Sequence, residues 1–358
     1  MALRQSIRFC TSRDGTRIAV ASVGSGPPLL RAAHWLSHVE YDLESPVWRP
    51  WLSALSEHNT YVRYDQRGCG LSDRQPTDIC FHAWLADLEA VAATIGQKSF
   101  PLLGMSQGGA LAIAFALRHP ERVSRLILFG AYARGAQCRA ESEAERLEAK
   151  TLVDLIRVGW GRDNPAFRQV FTSLFIPGGT AEQHRWWNDL ERIACRPEIA
   201  ARTLEQLHDI DVSEMAGQLQ VPTLVLHARG DARVPFEEGR RLAALIPNAR
   251  FVPLDSDNHT LLPTEPAWRQ FLAEVQAFVA PASEGGRPAA IDRAGLTAAE
   301  AEVLALVAAG LDNRAIAGRL GKAEKTVRNQ LSAVLDKLGV NSRSEAIVLA
   351  LKAEAGGS

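Results

Sequence analysis

The sequence predicts an α/β domain with a mostly parallel sheet, followed by a small all-α domain built on a helix-turn-helix. Over about the first 130 residues, short apolar strands alternate with helices, which is typical of such a sheet. Beyond residue 295, short helical patterns follow one another with glycine turns between them. The 358 residues suit one large and one small domain.

Apolar runs and turn residues place the elements of the first domain, residues 1–280. Asp14 and Gly15 separate two alternating runs and predict a hairpin across Ile7 to Val23. Further strands are predicted at Leu29–Ala33, Thr60–Tyr64, Ser99–Leu103, Leu126–Phe129, Val221–His227 and Arg250–Leu254, and helices at Trp48–Ser56, Phe81–Ile95, Ala110–Leu117 and Trp268–Val279. From about residue 134 to 216 the alternation is lost and the chain is helix-rich, which predicts a helical insertion.

The composition is that of an ordinary globular protein, with 46% hydrophobic and 23% charged residues. Because the formal net charge is −1, any affinity for nucleic acid must come from a local basic patch. The five cysteines are scattered without a C-x-x-C pair and suggest neither a zinc site nor a disulfide framework. We expect no metal and no cofactor.

The N-terminal residues lack the apolar run of a signal peptide, and no stretch approaches the length of a membrane span. We therefore expect a cytoplasmic protein with no membrane partner.

Ser106 lies in a turn between a predicted strand and a predicted helix, with Gly104 and Gly108 two positions away on either side. This spacing is typical of a nucleophile elbow, where larger side chains at the glycine positions would collide with the neighbouring strand and helix. The serine hydroxyl would then lie at a helix N-terminus, whose free N–H groups suit a developing oxyanion. The alternative is a glycine-rich turn without reactivity.

Several segments of the first domain match one known pattern: Tyr64–Ser72, the turn at Ser106, Arg118–Val123, Leu224–Pro235 and Asp257–Pro266. Through these, roughly residues 8–279 resemble the α/β-hydrolase superfamily. The resemblance implies an α/β-hydrolase fold in which the helical insertion forms a cap, about residues 134–216, that excludes water and shapes a substrate pocket.

The order Ser106, Asp231, His259 is the serine–acid–histidine order of this fold and predicts a catalytic triad. His259 would take the serine proton, and Asp231 would fix the histidine tautomer. Asp257 is a second candidate acid, with a solvated turn carboxylate as the alternative. A lone histidine such as His227 is expected to be structural.

The oxyanion hole is expected to use the backbone N–H groups of Gln107 and Leu36. Here the sequence departs from the family, because the usual His-Gly pair appears as His34-Trp35. Tryptophan does not freely adopt the positive φ that glycine allows, which puts the geometry of the Leu36 donor in question.

Residues 281–294 are rich in small residues and proline and predict a linker to a second domain, residues 295–358. Thr297 and Glu300 have the spacing of a capping box that opens its first helix. Further helices are expected from Asp312 or Asn313 to Leu320, from Ala323 or Glu324 to Leu338, and from Ser342 to about Lys352, with stops at Gly310 and Gly339.

The segments Leu296–Leu304, Gly310–Ala317, Glu324–Asn329 and Lys337–Val340 resemble the LuxR-type DNA-binding domain. The resemblance implies a recognition helix that begins near Glu324, and a homodimer on a palindromic promoter operator. Its DNA-binding side chains would be Lys325, Thr326, Arg328 and Asn329.

A local excess of basic residues supports this interpretation, because Arg319, Lys322, Lys325, Arg328 and Lys337 outnumber the nearby acids. A four-helix packing module with a solvated basic face is the alternative.

Two hypotheses follow from the two resemblances. In the first, the chain is a DNA-binding transcriptional regulator whose hydrolase-like domain senses a small ester-, lactone- or amide-like ligand, which it hydrolyses or only binds. In the second, it is a carboxylesterase-like serine hydrolase, and the C-terminal module serves only assembly or localisation.

Overall fold

The computed structural model describes residues 3–280, 296–308, 311–338, 340, 342–343 and 345–346. It divides into two compact units, Met1–Val279 and Ala280–Ser358, and each is described by itself. The predicted linker at 281–294, the predicted stops at Gly310 and Gly339, and most of the predicted fourth helix of the second domain lie outside the described residues.

The first unit is built on one mixed eight-stranded sheet, ordered β1-β2-β4-β3-β5-β6-β7-β8. The strands are β1 (Gln5–Thr11), β2 (Arg17–Val23), β3 (Pro28–Arg31), β4 (Thr60–Tyr64), β5 (Phe100–Met105), β6 (Val123–Phe129), β7 (Thr223–Ala228) and β8 (Arg250–Leu254). β1 and β2 form the predicted hairpin, and β2 also runs antiparallel to β4. The pairs from β4 onward are parallel, so the expected fold class is confirmed.

Four helices connect strands of the sheet and a fifth follows its last strand: α1 (Trp48–Leu55), α2 (Phe81–Ala93), α3 (Gly108–Arg118) and α10 (Phe236–Leu245), then α11 (Pro266–Val279). α3 is buried on every side from Gly108 to Ala116, because it is apolar all round and follows the central strand β5. The core therefore lies directly beneath the turn that carries Ser106.

Six helices are inserted between β6 and β7, where the sequence loses its strand–helix alternation. They are α4 (Ala136–Arg139), α5 (Glu143–Gly159), α6 (Ala166–Phe175), α7 (Ala181–Ala194), α8 (Pro197–His208) and α9 (Ser213–Gly217). Local signals set their starts: Ser142 caps α5, Thr180 and Gln183 form a capping box on α7, and a proline opens α8.

A short backbone pairing joins this insertion to the sheet. Cys69, in the loop after β4, pairs with Cys195 in an isolated antiparallel bridge, and the Gly70 N–H donates to the Ala194 carbonyl at 2.8 Å. Both cysteines are buried and free. Burial raises the pKa of Cys195 well above its usual value.

A buried ion pair lies at the other side of the sheet, between the 3₁₀ turn Tyr41–Glu44 and β4. The Arg63 Nη1 atom is 3.6 Å from the Asp42 Oδ2 atom, and both side chains are almost fully buried. Burial raises the pKa of Asp42 from 3.8 to about 7, against the opposing attraction of Arg63.

The second unit contains α12 (Ala298–Ala308), α13 (Asn313–Leu320) and α14 (Glu324–Leu338), which confirms the helical character expected there. The Thr297 hydroxyl accepts from the Glu300 N–H, and the Glu300 carboxylate accepts from the Thr297 N–H, so the capping box forms. Gly321 adopts a left-handed conformation, with φ 63°, at the tight turn between α13 and α14. A small apolar core joins the three helices: Val303, Val307, Ile316, Ala317, Val327 and Leu331.

Across the described ranges, no helix is both long enough and apolar enough to cross a membrane. In the same part of the chain, no group of three or more His, Cys, Asp or Glu side chains is placed to hold a metal ion.

Candidate functional site

Ser106 lies in a strained turn between β5 and α3, with a backbone φ of 51°. Its N–H donates to the Phe129 carbonyl at 2.9 Å, and its own carbonyl accepts from the Gly109 N–H at 3.0 Å. A Cβ atom at Gly104 would lie 2.7 Å from the Gly109 Cα, and one at Gly108 would lie 2.7 Å from the Ala33 carbonyl oxygen. The sequence therefore folds into this turn only because both flanking positions lack a side chain.

Asp231 and His259 come from the loops that follow β7 and β8, and the structure brings them into contact. The Nδ1 atom of His259 lies 2.6 Å from the Oδ2 atom of Asp231. The second carboxylate oxygen accepts from the N–H groups of Arg233 and Val234, at 2.9 and 2.8 Å. These contacts fix the carboxylate and, through it, the plane of the histidine ring.

Burial alone would raise the pKa of Asp231, but its contacts with His259 and the backbone donors outweigh burial and lower it. Asp231 is therefore ionised at neutral pH. An ionised carboxylate accepts a hydrogen bond, so Nδ1 of His259 carries the proton and Nε2 is left with a lone pair. That tautomer is the one a general base requires.

Ser106 and His259 line the same small cavity, of about 10 Å³. This volume is enough for about one water molecule. Its other lining residues are mostly aromatic: His34, Trp35, Trp48, Met105, Phe129, Phe175, Trp187 and Thr260. Ser106 and His259 therefore border one small, mostly apolar cavity, and Asp231 contacts His259 without lining that cavity. A substrate would have to displace aromatic side chains to enter.

The two expected oxyanion donors are also near this cavity, and the strain falls at a different residue from the one the sequence suggested. Leu36 itself adopts a positive φ, 46°, next to Trp35, which lines the cavity. The N–H groups of Leu36 and Gln107 donate to no other residue in the described chain. A buried leucine held in this conformation carries backbone strain, which local packing must maintain.

His227 has the structural role expected of it. Its Nε2 atom lies 3.0 Å from the Val234 carbonyl and 3.5 Å from Asp231 Oδ2, and burial lowers its pKa. It supports the turn that presents Asp231. Asp257 is exposed in the loop before His259.

Two residues near the triad carried no signal in the sequence. The Phe175 ring, at the end of α6, lies 5.3 Å from the His259 ring. The Arg233 guanidinium lies 5.9 Å from the centre of the same Phe175 ring. No spacing rule connects residue 175 to residue 259, because the insertion is placed by tertiary packing.

The four predicted DNA-binding residues lie together on α14. Lys325, Thr326, Arg328 and Asn329 are exposed, while Val327 between them is fully buried. Arg328 also forms an ion pair with Glu324, at 3.4 Å.

One residue of the predicted basic patch is engaged within the domain. Lys337 binds Glu300 at 2.7 Å, so it ties α14 to α12. This contact lowers the pKa of Glu300 to about 2.

Two family models match separate parts of the sequence. The model of the alpha/beta hydrolase fold matches residues 41–177, and that of the bacterial regulatory proteins of the luxR family matches residues 294–350. The chain joins an α/β-hydrolase domain to a LuxR-type domain. The LuxR-type domain implies DNA binding.

Curated relatives of the α/β-hydrolase domain are distant. The chain is 28% identical over 236 residues to a pyrrolizixenacetamide deacetylase of Xenorhabdus hominickii, covering 64% of this chain and 84% of that protein. It is 24% identical over 254 residues to an AB hydrolase superfamily protein, YisY, of Bacillus subtilis, covering 70% and 91%.

Solved structures show the same fold. An esterase from Rhodococcus sp. ECU1013 superimposes with a TM-score of 0.64 at 25% identity, covering 77% of this chain and 99% of the esterase. An esterase from Exiguobacterium antarcticum gives the same TM-score, 0.64, at 24% identity, and covers 76% of this chain and 98% of the esterase.

Proposed function

We propose that this chain is a cytoplasmic, DNA-binding transcriptional regulator whose α/β-hydrolase domain senses a small ester-, lactone- or amide-like ligand. The observation that carries the proposal is the small cavity lined by Ser106 and by His259, which Asp231 holds, in the same chain as a LuxR-type domain. In such a regulator, the cavity of the hydrolase domain would bind the ligand and the LuxR-type domain would bind DNA.

The site supports hydrolysis of the ligand in two steps. Ser106 Oγ attacks the carbonyl carbon and gives its proton to Nε2 of His259, while Asp231 stabilises the resulting imidazolium. His259 then protonates the leaving group as the carbonyl re-forms, which leaves an acyl-serine. Water, deprotonated by His259, attacks this ester. The second tetrahedral intermediate then breaks its bond to Ser106 Oγ, which takes the proton back from His259, and the acid is released.

The negative charge of each tetrahedral intermediate needs hydrogen-bond donors. We assign these to the N–H groups of Gln107 and Leu36, which have no other acceptor in the described chain. The strained φ of Leu36 is consistent with a backbone held in place for this purpose.

In the LuxR-type domain, α14 would enter the major groove. Lys325 and Arg328 suit phosphates and guanine edges, and Thr326 and Asn329 suit other base edges or the backbone. A homodimer would place two such helices on a palindromic operator. Ligand binding changes DNA affinity only if the ligand binds one protomer arrangement more tightly than the other.

The test is a gel shift of the full-length chain on DNA from its own promoter, over a range of salt concentrations. We expect binding that weakens steeply with salt and is lost in Lys325→Ala/Arg328→Ala, but kept in Lys150→Ala, which removes an exposed lysine of the first unit. Failure of the wild-type chain to shift this DNA, with and without esters added, would contradict the proposal.

The contact of Asp231 with His259, which lines the same cavity as Ser106, favours a second candidate, a serine hydrolase whose C-terminal module serves only assembly or localisation. A fluorophosphonate probe that labels the wild-type chain but not Ser106→Ala would show a reactive nucleophile. If Ser106→Ala also leaves promoter output unchanged and only prolongs ligand lifetime, hydrolysis serves to clear the signal.

A further inference from the structure

A large groove lies beside the catalytic cavity in the first unit. Its volume is about 870 Å³, within the range of about 300–1,000 Å³ typical of small-molecule sites. Its walls come from α4, α5, the end of α6, the turn after Asp231, and α10. The groove is thus of a size to hold a ligand that the small cavity at Ser106 cannot.

One aromatic side chain separates the groove from the cavity. Leu174 lines the groove, and the next residue, Phe175, lines the cavity. Phe175 contacts His259 in the cavity and Arg233, which lines the groove. A movement of Phe175 would therefore join the groove to the site of Ser106.

Several charged side chains of the groove are paired with one another. Arg134 and Arg241 contact Glu238, at 2.5 and 4.0 Å, and Arg240 contacts Glu237 at 3.0 Å. The remaining acids of the lining, Glu141, Glu145 and Glu148, are exposed.

Two arginines of the groove are different. Within the described chain, neither Arg139 nor Arg233 has a carboxylate within ion-pair distance, and both are half-buried. Their guanidinium groups lie over aromatic rings, Arg139 over Tyr132 and Arg233 over Phe175, each at 5.9 Å. Burial lowers the pKa of Arg233; the repulsion of Arg139 adds to this effect, and the attraction of Asp231 and Glu148 opposes it.

We propose that Arg139 and Arg233 bind a carboxylate of the ligand in this groove, while the ligand's ester, lactone or amide carbonyl passes Phe175 to reach Ser106. Planar guanidinium groups match a carboxylate with two parallel hydrogen bonds. The ligand class is thus a small acid with a hydrolysable carbonyl at its other end. The second half of this statement rests on the proposed function; the anion site does not.

The kinetic test compares matched substrates on the full-length chain: the mono-p-nitrophenyl esters of glutarate, adipate and suberate, and the neutral p-nitrophenyl alkanoates of equal chain length. For at least one chain length we expect the wild-type chain to favour the half-ester by about tenfold or more in kcat/KM. Arg139→Gln and Arg233→Gln should each lower kcat/KM for that half-ester by about tenfold or more relative to kcat/KM for the neutral ester of equal length.

Arg240→Gln is the matched control, because it removes an arginine of the same groove that is already paired with Glu237. Arg240→Gln should leave kcat/KM unchanged for both substrates. Arg233→Lys should keep part of the preference for the half-ester. Equal losses on both esters, or no preference in the wild-type chain, would overturn the proposal.

A binding measurement separates this proposal from the proposed hydrolysis. Titration calorimetry of Ser106→Ala with adipate should show binding that Arg233→Gln weakens about tenfold or more, whether or not the wild-type chain cleaves any ester. If no ester is cleaved but adipate binds in this way, hydrolysis fails and the anion site stands. If adipate does not bind, or inorganic phosphate displaces it at lower concentration, the carboxylate assignment is wrong.

Discussion

Replacing Asp231 with asparagine tests the triad through the tautomer of His259. Oδ1 of Asp231 already accepts two backbone N–H groups, so the amide oxygen of the Asp231→Asn variant would keep that position. The amide NH₂ would then face Nδ1 of His259, where Oδ2 now lies at 2.6 Å. Because an N–H needs an acceptor, the ring proton would move to Nε2, and His259 would lose the lone pair that takes the proton of Ser106.

The expected loss is large. Such a change of tautomer costs about 10⁴-fold in rate, or about 5.4 kcal/mol in the activation barrier. The assay is the rate constant for labelling of Ser106 by excess fluorophosphonate, with the melting temperature measured in parallel. Asp257→Asn, in the exposed turn before His259, is the control and should label at the wild-type rate. A loss of less than about tenfold in folded Asp231→Asn would refute the reasoning.

Three further changes have outcomes set by local structure. The free energy of unfolding should fall by about 1.4 kcal/mol as pH rises from 6 to 8, because buried Asp42, whose pKa is about 7, loses its proton over this range. In the folded state Asp42 still binds a proton at pH 6, whereas in the unfolded state it has already lost it. Asp42→Asn should remove this slope in urea titrations, and an unchanged slope would contradict the assignment. Phe175→Ala should destabilise the chain by about 3–5 kcal/mol yet raise the ratio of labelling by bulky over small fluorophosphonates, since it opens the wall of the cavity; a constant ratio would argue against that wall. Gly108→Ala should lower the free energy of unfolding by about 1–3 kcal/mol and slow labelling of Ser106, because its Cβ would lie 2.7 Å from the Ala33 carbonyl oxygen. A melting temperature and a labelling rate equal to those of the wild-type chain would show that the turn accommodates a Cβ at this position.

The sequence predicted the sheet and the position of the elbow because both depend on local patterns. Apolar strands between helices give the parallel sheet, and paired glycines around Ser106 allow its positive φ. Asp231 and His259 were predicted from the segments that resemble the α/β-hydrolase superfamily and from the residue order of that fold. Their contact in the structure follows from the adjacent strands β7 and β8.

The insertion could not be predicted in the same way. Its helices have caps that the sequence shows, such as Thr180, but no local signal states which face of α6 meets His259. The contact of Phe175, the unpaired charge of Arg233 and the pairing of Cys69 with Cys195 all join segments far apart in sequence. Such contacts are decided by packing across the whole core, which periodicity does not describe.

In the loop after β3, the sequence and the structure differ by one residue in where the backbone is strained. From the sequence, a strained backbone was expected at Trp35, which stands in the place of a glycine. In the structure the positive φ occurs at Leu36, the proposed donor. A one-residue shift of strain is invisible in the pattern, because the conformation depends on how buried Trp35 and Leu36 pack.

We propose that a group bound at Ser106 changes the affinity of the LuxR-type domain for DNA. The most direct measurement is the dissociation constant of the full-length chain for DNA of its own promoter, by fluorescence anisotropy, before and after stoichiometric fluorophosphonate labelling of Ser106. We expect the dissociation constant to change by about fivefold or more on labelling, and not to change in Ser106→Ala treated in the same way. Equal dissociation constants for the labelled and unlabelled chain would contradict it.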